Sequence, residues 1–483
     1  MFATIKPEFH SQPFIIKRLG TRKVPGLFLP LSLRLLSALN SFNMSEPKHQ
    51  QMGTFTATGL VVASMIGIGV YTSLGYQVMG LQSPFALLML WVVGGVHALC
   101  GAFCYAELST TFPRSGGEYH FLTRIYHPLL GFLAGWVSIT AGFAAPIALA
   151  AMAFGSYAQA FIGVGAPMFW GVSAILLMAF THCMRIQSGA RVQDRLTVLK
   201  ILLIVVFIGA GLLVGSGGNP PPVPNQIGLK EVFGRSFALS LMFVTYSYSG
   251  WNAATYVASE IRNPKKNLPV AILAGTTFVT LLYVGINYVF IRVTPLEEIQ
   301  ALKDKEAIAA LASSQIFGPS GGRLMNGIIA TGLLSTLGAL VVTGSRIAST
   351  LGEDHLILGK LAVRNRHNVP MNAVILQASI ALLLLLTSSF GSVLTYVEFV
   401  TLLSAFITVI GVYVARHRFP DIKRPFRVPG YPFTPIIYLS IAAWVLWHVF
   451  KERPSESLAG LGTLFLGAVV YWYAKRMKTH PPD

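Results

Sequence analysis

The sequence predicts an all-α polytopic membrane protein with twelve transmembrane helices, and three observations carry that prediction. Of 483 residues, 53% are hydrophobic and 11% charged, where a soluble domain carries about 25% charged residues. The 18 acidic side chains cannot coat a water-facing surface of this size. The apolar residues also run in uncharged blocks, and roughly 20 such residues cross the hydrocarbon core of a bilayer.

The blocks free of Lys, Arg, Asp and Glu cover 49–106, 125–184, 201–229, 236–259, 267–291, 324–345, 367–397, 428–450 and 457–474. The first two supply two crossings each, with turns at Gln82-Ser83-Pro84 and at Gly163-Val164-Gly165-Ala166-Pro167. One more crossing, 391–415, is interrupted only by Glu398. The expected organisation is an N-terminal tail (1–52), a core (53–415), a basic loop (416–431), spans 11 and 12 (432–475) and a C-terminal tail (476–483).

The net charge of +18 invites a nucleic-acid reading, so the placement of the charges decides. With the N-terminus in the cytoplasm, 28 of the 36 Lys and Arg fall in inward segments and 8 in outward loops. That is the positive-inside pattern, with both termini cytoplasmic, and it implies no nucleic-acid partner. Residues 1–43 hold six Lys or Arg and one acid, Glu8. They read as a transit-like leader or as a start placed upstream of Met44, which opens a short polar tail before span 1. Cys100, Cys104 and Cys183 fall inside predicted spans, which gives no disulfide framework and no metal site.

Two spans are broken. Span 1 carries Ser64-Met65-Ile66-Gly67-Ile68-Gly69-Val70-Tyr71 about halfway along, and span 6 carries Tyr246-Ser247-Tyr248-Ser249-Gly250-Trp251-Asn252 near its middle. Freed backbone groups at membrane depth are tolerated only where protein or a polar cavity satisfies them. Matched breaks in the two five-span halves mark a midplane ligand site between inverted repeats. Half-helix N-termini suit a carboxylate. Freed carbonyls, with hydroxyls such as Ser247 and Ser249, suit an ammonium. A ligand bearing both groups on one carbon is an α-amino acid.

At this point the sequence resembles the amino acid, polyamine and organocation superfamily, most of all the L-type amino acid transporter family, over about residues 53–430. The resemblance rests on Tyr105-Ala106-Glu107-Leu108 followed by Pro113-Arg114-Ser115-Gly116-Gly117-Glu118-Tyr119. Further motifs are Arg191-Val192-Gln193-Asp194 leading to Lys200, Ser249-Gly250-Trp251-Asn252, and Glu260-Ile261-Arg262-Asn263-Pro264 ending in Pro269. It implies a secondary transporter with five-plus-five inverted repeats and two added C-terminal helices, working by alternating access as exchanger or proton-coupled symporter without a cofactor. It places substrate contacts at Ser64, Ile66, Gly67, Ile68 and Gly69 of span 1 and at Tyr246, Ser247, Ser249, Gly250 and Asn252 of span 6. The family pattern Gly-Ser-Gly-Ile-Phe is departed from at Ile68 and Tyr71, so the backbone N–H survives and a hydroxyl contact is lost. The family's paired cytoplasmic charges match Glu107, Arg114 and Glu260, a candidate inner gate.

Lys200 lies several residues into span 5, where a buried ammonium needs carbonyl or hydroxyl partners or must lose its proton. The resemblance sets it opposite spans 1 and 8, with Ser335 and Thr336 as candidate neighbours, and makes protons a candidate coupling partner. Glu398, in span 10, has no matched family role. No His-Glu-x-x-His and no phosphate-cradling Gly-Lys-Ser/Thr loop is present, so a hydrolase or ATP-driven pump has no visible active site. Neither break contains an acidic residue, which favours neutral L-amino acids over cationic amino acids or polyamines. A sensor that binds without transporting would need the same pocket. Some members of the family bond a single-span glycoprotein through a cysteine between spans 3 and 4. No cysteine lies between Tyr157 and Pro167, so no disulfide-linked partner is expected. The expected location is a cell membrane.

Overall fold

The computed structural model describes residues 52–184, 190–214 and 219–477, with the side chains of 190–196, Leu356 and Met477 left aside. The tail before residue 52 with its Met44 question, the side chains of the Arg191–Asp194 motif and the tail after 477 lie outside the described residues.

Among the described residues, twelve helical spans follow one another. Span 1 is Thr54–Met65 and Gly69–Gln77, span 2 Pro84–Thr111, span 3 Pro128–Ile162 and span 4 Pro167–Cys183. Span 5 is Ala190–Leu213, span 6 Arg235–Ser247 and Ala253–Tyr256, and span 7 Pro264–Val293. Span 8 occupies the helix ending at Asp354, span 9 is Met371–Thr387, span 10 Phe390–Arg418, span 11 Phe433–Glu452 and span 12 Pro454–Met477. Eight are long and apolar enough to cross a membrane unaided; spans 4, 5 and 9 are shorter apolar helices and span 6 is broken.

Proline at the first helical position starts spans 2, 3, 4 and 7, where its missing N–H costs nothing. Gly163, with φ of 87°, ends span 3 in the left-handed region that glycine alone enters freely. A π-helical segment, Ser138–Gly142, interrupts span 3. Gly318, with φ of 72° and ψ of 175°, kinks the helix before span 8. There Gly318-Pro319-Ser320-Gly321-Gly322 spells the spacing of a serine nucleophile elbow, but that elbow needs a strand-to-helix turn, and here helix stands on both sides.

Span 10 runs through Arg416 and His417 to Arg418, so the basic loop expected from 416 begins at Phe419. The reason is local: Pro420 is the first proline, and it disfavours helix only at the residue before it.

Spans 1, 2, 6 and 7 form one packed group, spans 3, 4, 8 and 9 a second. Three short helices matter to the site: Gly117–Ile125 between spans 2 and 3, and Leu296–Ala301 with Lys305–Ala307 between spans 7 and 8.

Candidate functional site

The two breaks touch. Gly250 has φ of 96° and lies so close to the end of the first half of span 1 that a Cβ there would sit 2.6 Å from the Ser64 carbonyl oxygen. Ile66 leaves the helix with ψ of 85°, and the helix resumes at Gly69. Among the described residues, the N–H groups of Gly67, Ile68 and Gly69 have no backbone acceptor, as the first turn of any helix must leave them. The freed Met65 carbonyl accepts from Tyr283 Oη of span 7 at 2.6 Å, and the Tyr71 carbonyl from Tyr157 Oη of span 3 at 2.9 Å. Ser64 and Ser249 are exposed at the breaks, while Ile66, Ile68 and Tyr246 are buried.

The two glycines of span 1 differ. A Cβ on Gly67 would meet only the Met65 oxygen at 3.9 Å, whereas one on Gly69 would overlap Ser247. Ser247 is itself committed, donating to the Phe243 carbonyl at 2.7 Å and sharing a hydrogen bond of 2.8 Å with Ser73. Gly67→Val is therefore expected to keep the wild-type melting temperature and lose amino acid binding. Gly69→Val should also lower stability, by about 1–3 kcal/mol, because an overpacked contact must open. Equilibrium binding and thermal unfolding on the purified protein check both; normal affinity in Gly67→Val would place the ligand carboxylate elsewhere.

On the face carrying the 7–8 connection, Glu306, a loop carboxylate with no role assigned from the sequence, ties span 1 to span 3 as a plug. Glu306 accepts from Tyr76 Oη of span 1 at 3.0 Å and from Ser156 Oγ of span 3 at 3.2 Å, and its carbonyl from Tyr157 Oη at 3.0 Å. Tyr76 stacks between Phe243 of span 6 and Phe390 of span 10, with centroids 5.1 and 5.5 Å away. Glu306→Ala removes two hydrogen bonds to a carboxylate, together about 3 kcal/mol. A cysteine introduced at Ser73 should then react with a water-soluble thiol reagent more than tenfold faster. An unchanged rate would mean that the plug does not hold this face shut.

Lys200 Nζ donates to Thr336 Oγ1 at 2.7 Å, and both line a small cavity with Gly67, Tyr71 and Gly332. Ser335 precedes Thr336 on the same helix. The gate trio is not brought together. Glu107 takes Arg416 Nε and Nη2 at 2.8 and 2.6 Å and the Val428 N–H at 2.7 Å. Arg114 and Glu260 are exposed and pair neither with it nor with each other among the described residues. The Glu260 carbonyl instead accepts from the Met52 N–H at 2.8 Å, tying the chain before span 1 to the end of span 6.

Asn252 meets a second residue that went unassigned in the sequence. Its Nδ2 lies 3.3 Å from Oε1 of Glu118, which also accepts from Tyr105 Oη at 2.7 Å, while Ser404 Oγ donates to Oε2 at 2.6 Å. Burial pushes the Glu118 carboxyl above the usual carboxylate range, and the Ser404 and Tyr105 donors pull the other way. Glu118 stood inside a quoted motif, but nothing in its spacing pointed to Asn252, 134 positions on.

Residues 52–472 match the family model described as amino acid permease. The chain is similar to the b(0,+)-type amino acid transporter 1 of Homo sapiens, 24% identical over 444 residues that cover 90% of each chain. It is also similar to the large neutral amino acids transporter small subunit 2 of Mus musculus, 29% identical over 437 residues, 88% of this chain and 80% of that one.

Proposed function

This chain belongs to the amino acid permease family, a multi-pass membrane family and not an enzyme, and on that premise we propose that it carries neutral L-amino acids by alternating access. The observation that carries the reading is the meeting of two broken helices, Gly250 against Ser64, with N–H groups that find no backbone acceptor beside exposed hydroxyls. The N–H groups of the first break take the substrate carboxylate, and carbonyl and hydroxyl oxygens around Ser64 and Ser249 take the ammonium. Tyr246 closes over the side chain. Seal and opening alternate between the Glu306 face and the opposite one, with Lys200 coupling span 5 to span 1.

A neutral substrate is supported because neither break contains an acidic residue, and Glu118, the carboxylate that Asn252 meets at the span 6 break, is already engaged by three neutral donors. The name of the 29%-identical relative, which speaks of large neutral amino acids, points the same way. That name also speaks of a small subunit. Here the 3–4 loop has no cysteine, and the three free cysteines are buried or half-buried, which supports a carrier working without a disulfide-linked partner. We place it in a cell membrane with both termini cytoplasmic, the arrangement the Lys and Arg distribution favours.

The test is uptake of a labelled neutral amino acid into proteoliposomes holding the purified single chain, competed by a panel of amino acids. Competition by leucine-like and aromatic residues, and none by lysine or polyamines, is expected. Competition chiefly by cationic compounds would turn the reading toward a cationic carrier, and binding without uptake would turn it toward a sensor.

A further inference from the structure

Glu118 sits on the short helix Gly117–Ile125, outside both broken segments, yet reaches the polar end of the span 6 break. The approach is enforced by packing. A Cβ on Gly117 would come within 2.7 Å of the Tyr256 ring, so this helix presses directly on the second half of span 6. Tyr105, which shares Oε1 with Asn252, is itself held edge-on against Trp251 with centroids 4.7 Å apart. Ser404 fixes the other oxygen from span 10. The carboxylate is thus immobilised from spans 2, 6 and 10, and all three donors are neutral.

We propose that Glu118 is a positioning residue for the substrate site, fixing the side-chain amide of Asn252 so that its oxygen serves as an acceptor for the substrate ammonium. The reasoning is one of donor and acceptor types. Oε1 of Glu118 accepts from Tyr105 Oη, and an accepting oxygen takes the NH2 end of the amide, so that end must face Glu118. The amide oxygen then points away from Glu118, and an oxygen is what an ammonium group needs. Without Glu118, the Tyr256 hydroxyl remains beside the amide, but a hydroxyl both donates and accepts, so it no longer fixes which end the amide offers. This inference rests on the reading of the two breaks as an amino acid site.

The test is binding of a labelled neutral amino acid to the full-length purified protein, with thermal unfolding measured in parallel. Asn252→Ala is expected to weaken binding by about tenfold, the worth of one hydrogen bond to a charged group. Glu118→Ala should weaken it by a similar factor, and the double variant should be no weaker than either alone, since both remove one contact. Glu118→Gln should restore binding to within about threefold of wild type, because Gln keeps an oxygen for Tyr105 and Asn252 and turns its NH2 to the Ser404 hydroxyl, which can accept. Wild-type affinity in Glu118→Ala, additive losses in the double variant, or a Gln variant as weak as Ala would each overturn the assignment. A lowered melting temperature with unchanged affinity would make Glu118 merely structural, and so would also overturn it. Full affinity in Asn252→Ala would instead remove Asn252 from the site, and the inference with it.

Discussion

Lys200→Ala is expected to slow transport by about tenfold to a hundredfold in protein that remains folded. The ammonium donates to Thr336 Oγ1 at 2.7 Å, and Thr336 in turn donates to the Gly332 carbonyl at 3.1 Å. Gly67 and Tyr71 line the same cavity, so one side chain from span 5 stands between span 8 and the first break. A hydrogen bond to a charged group is worth about 1.5–3 kcal/mol. Expressed in a barrier, that is roughly one to two orders of magnitude in rate. Thr336→Val is the matched control: it keeps the shape, removes the acceptor, and should reproduce most of the loss. Exchange and proton symport then part on a second measurement. If a proton gradient drives net uptake by the wild-type chain and fails in Lys200→Ala, the lysine carries the coupling. If counter-transport is fast and no gradient drives uptake, Lys200 serves as a fixed tie in an exchanger. Unchanged kinetics in Lys200→Ala would remove it from either mechanism.

The span pattern was legible because a bilayer imposes a one-dimensional rule: uncharged stretches of sufficient length must cross, and the charges between them must lie outside. The breaks at Gly67 and Gly250 were legible for a related reason, since glycine-rich polar stretches at membrane depth have few uses. The Lys200–Thr336 contact was legible because an ammonium inside a span needs a carbonyl or hydroxyl partner and the family resemblance sets Lys200 opposite span 8, where Ser335 and Thr336 supply hydroxyls. The difference between Gly67 and Gly69 did not follow. Both are glycines in one motif, and only the position of Ser247, brought in from span 6, makes one of them a packing contact.

Glu306 and Glu118 were illegible for another reason. Loop carboxylates on the 7–8 connection look alike in sequence: Glu297, Glu298 and Glu306 differ only in where the backbone points them. Glu306 is selected by the turn at Lys305–Ala307, which sets it between Tyr76 and Ser156. The inner charges show the same limit. The family resemblance offered Glu107, Arg114 and Glu260 as paired charges, yet the arginines that meet Glu107 come from the 10–11 region, 309 positions away in the case of Arg416.

That partner choice makes Glu107→Ala the substitution with the largest expected effect on stability. Glu107 is 2% exposed, and Arg424 Nε also lies 3.7 Å from it. Around this carboxylate the loop after span 10 is wound: Arg424 donates to the Ala415 and Phe419 carbonyls at 3.0 and 2.8 Å, and Arg416 lies 3.7 Å over the Tyr431 ring. Removing the acceptor leaves two guanidinium groups and the Val428 N–H without their shared partner. Breaking a buried pair from one side costs about 3–5 kcal/mol, and the 23% exposure of Arg416 puts this case near the lower end. A fall of several degrees in the melting temperature of the purified protein is expected. Arg416→Ala should cost less, because Arg424 and Val428 still satisfy the carboxylate, and the double variant should cost less than the two losses added. Transport separates a clamp from a gate. A pair that breaks in every cycle would speed or slow turnover when removed, whereas a clamp that travels intact with span 2 would leave the turnover of the folded fraction unchanged. The bidentate geometry, the added backbone donor and the burial all favour the clamp, so the expected result is a destabilised protein that transports at the wild-type rate per folded molecule.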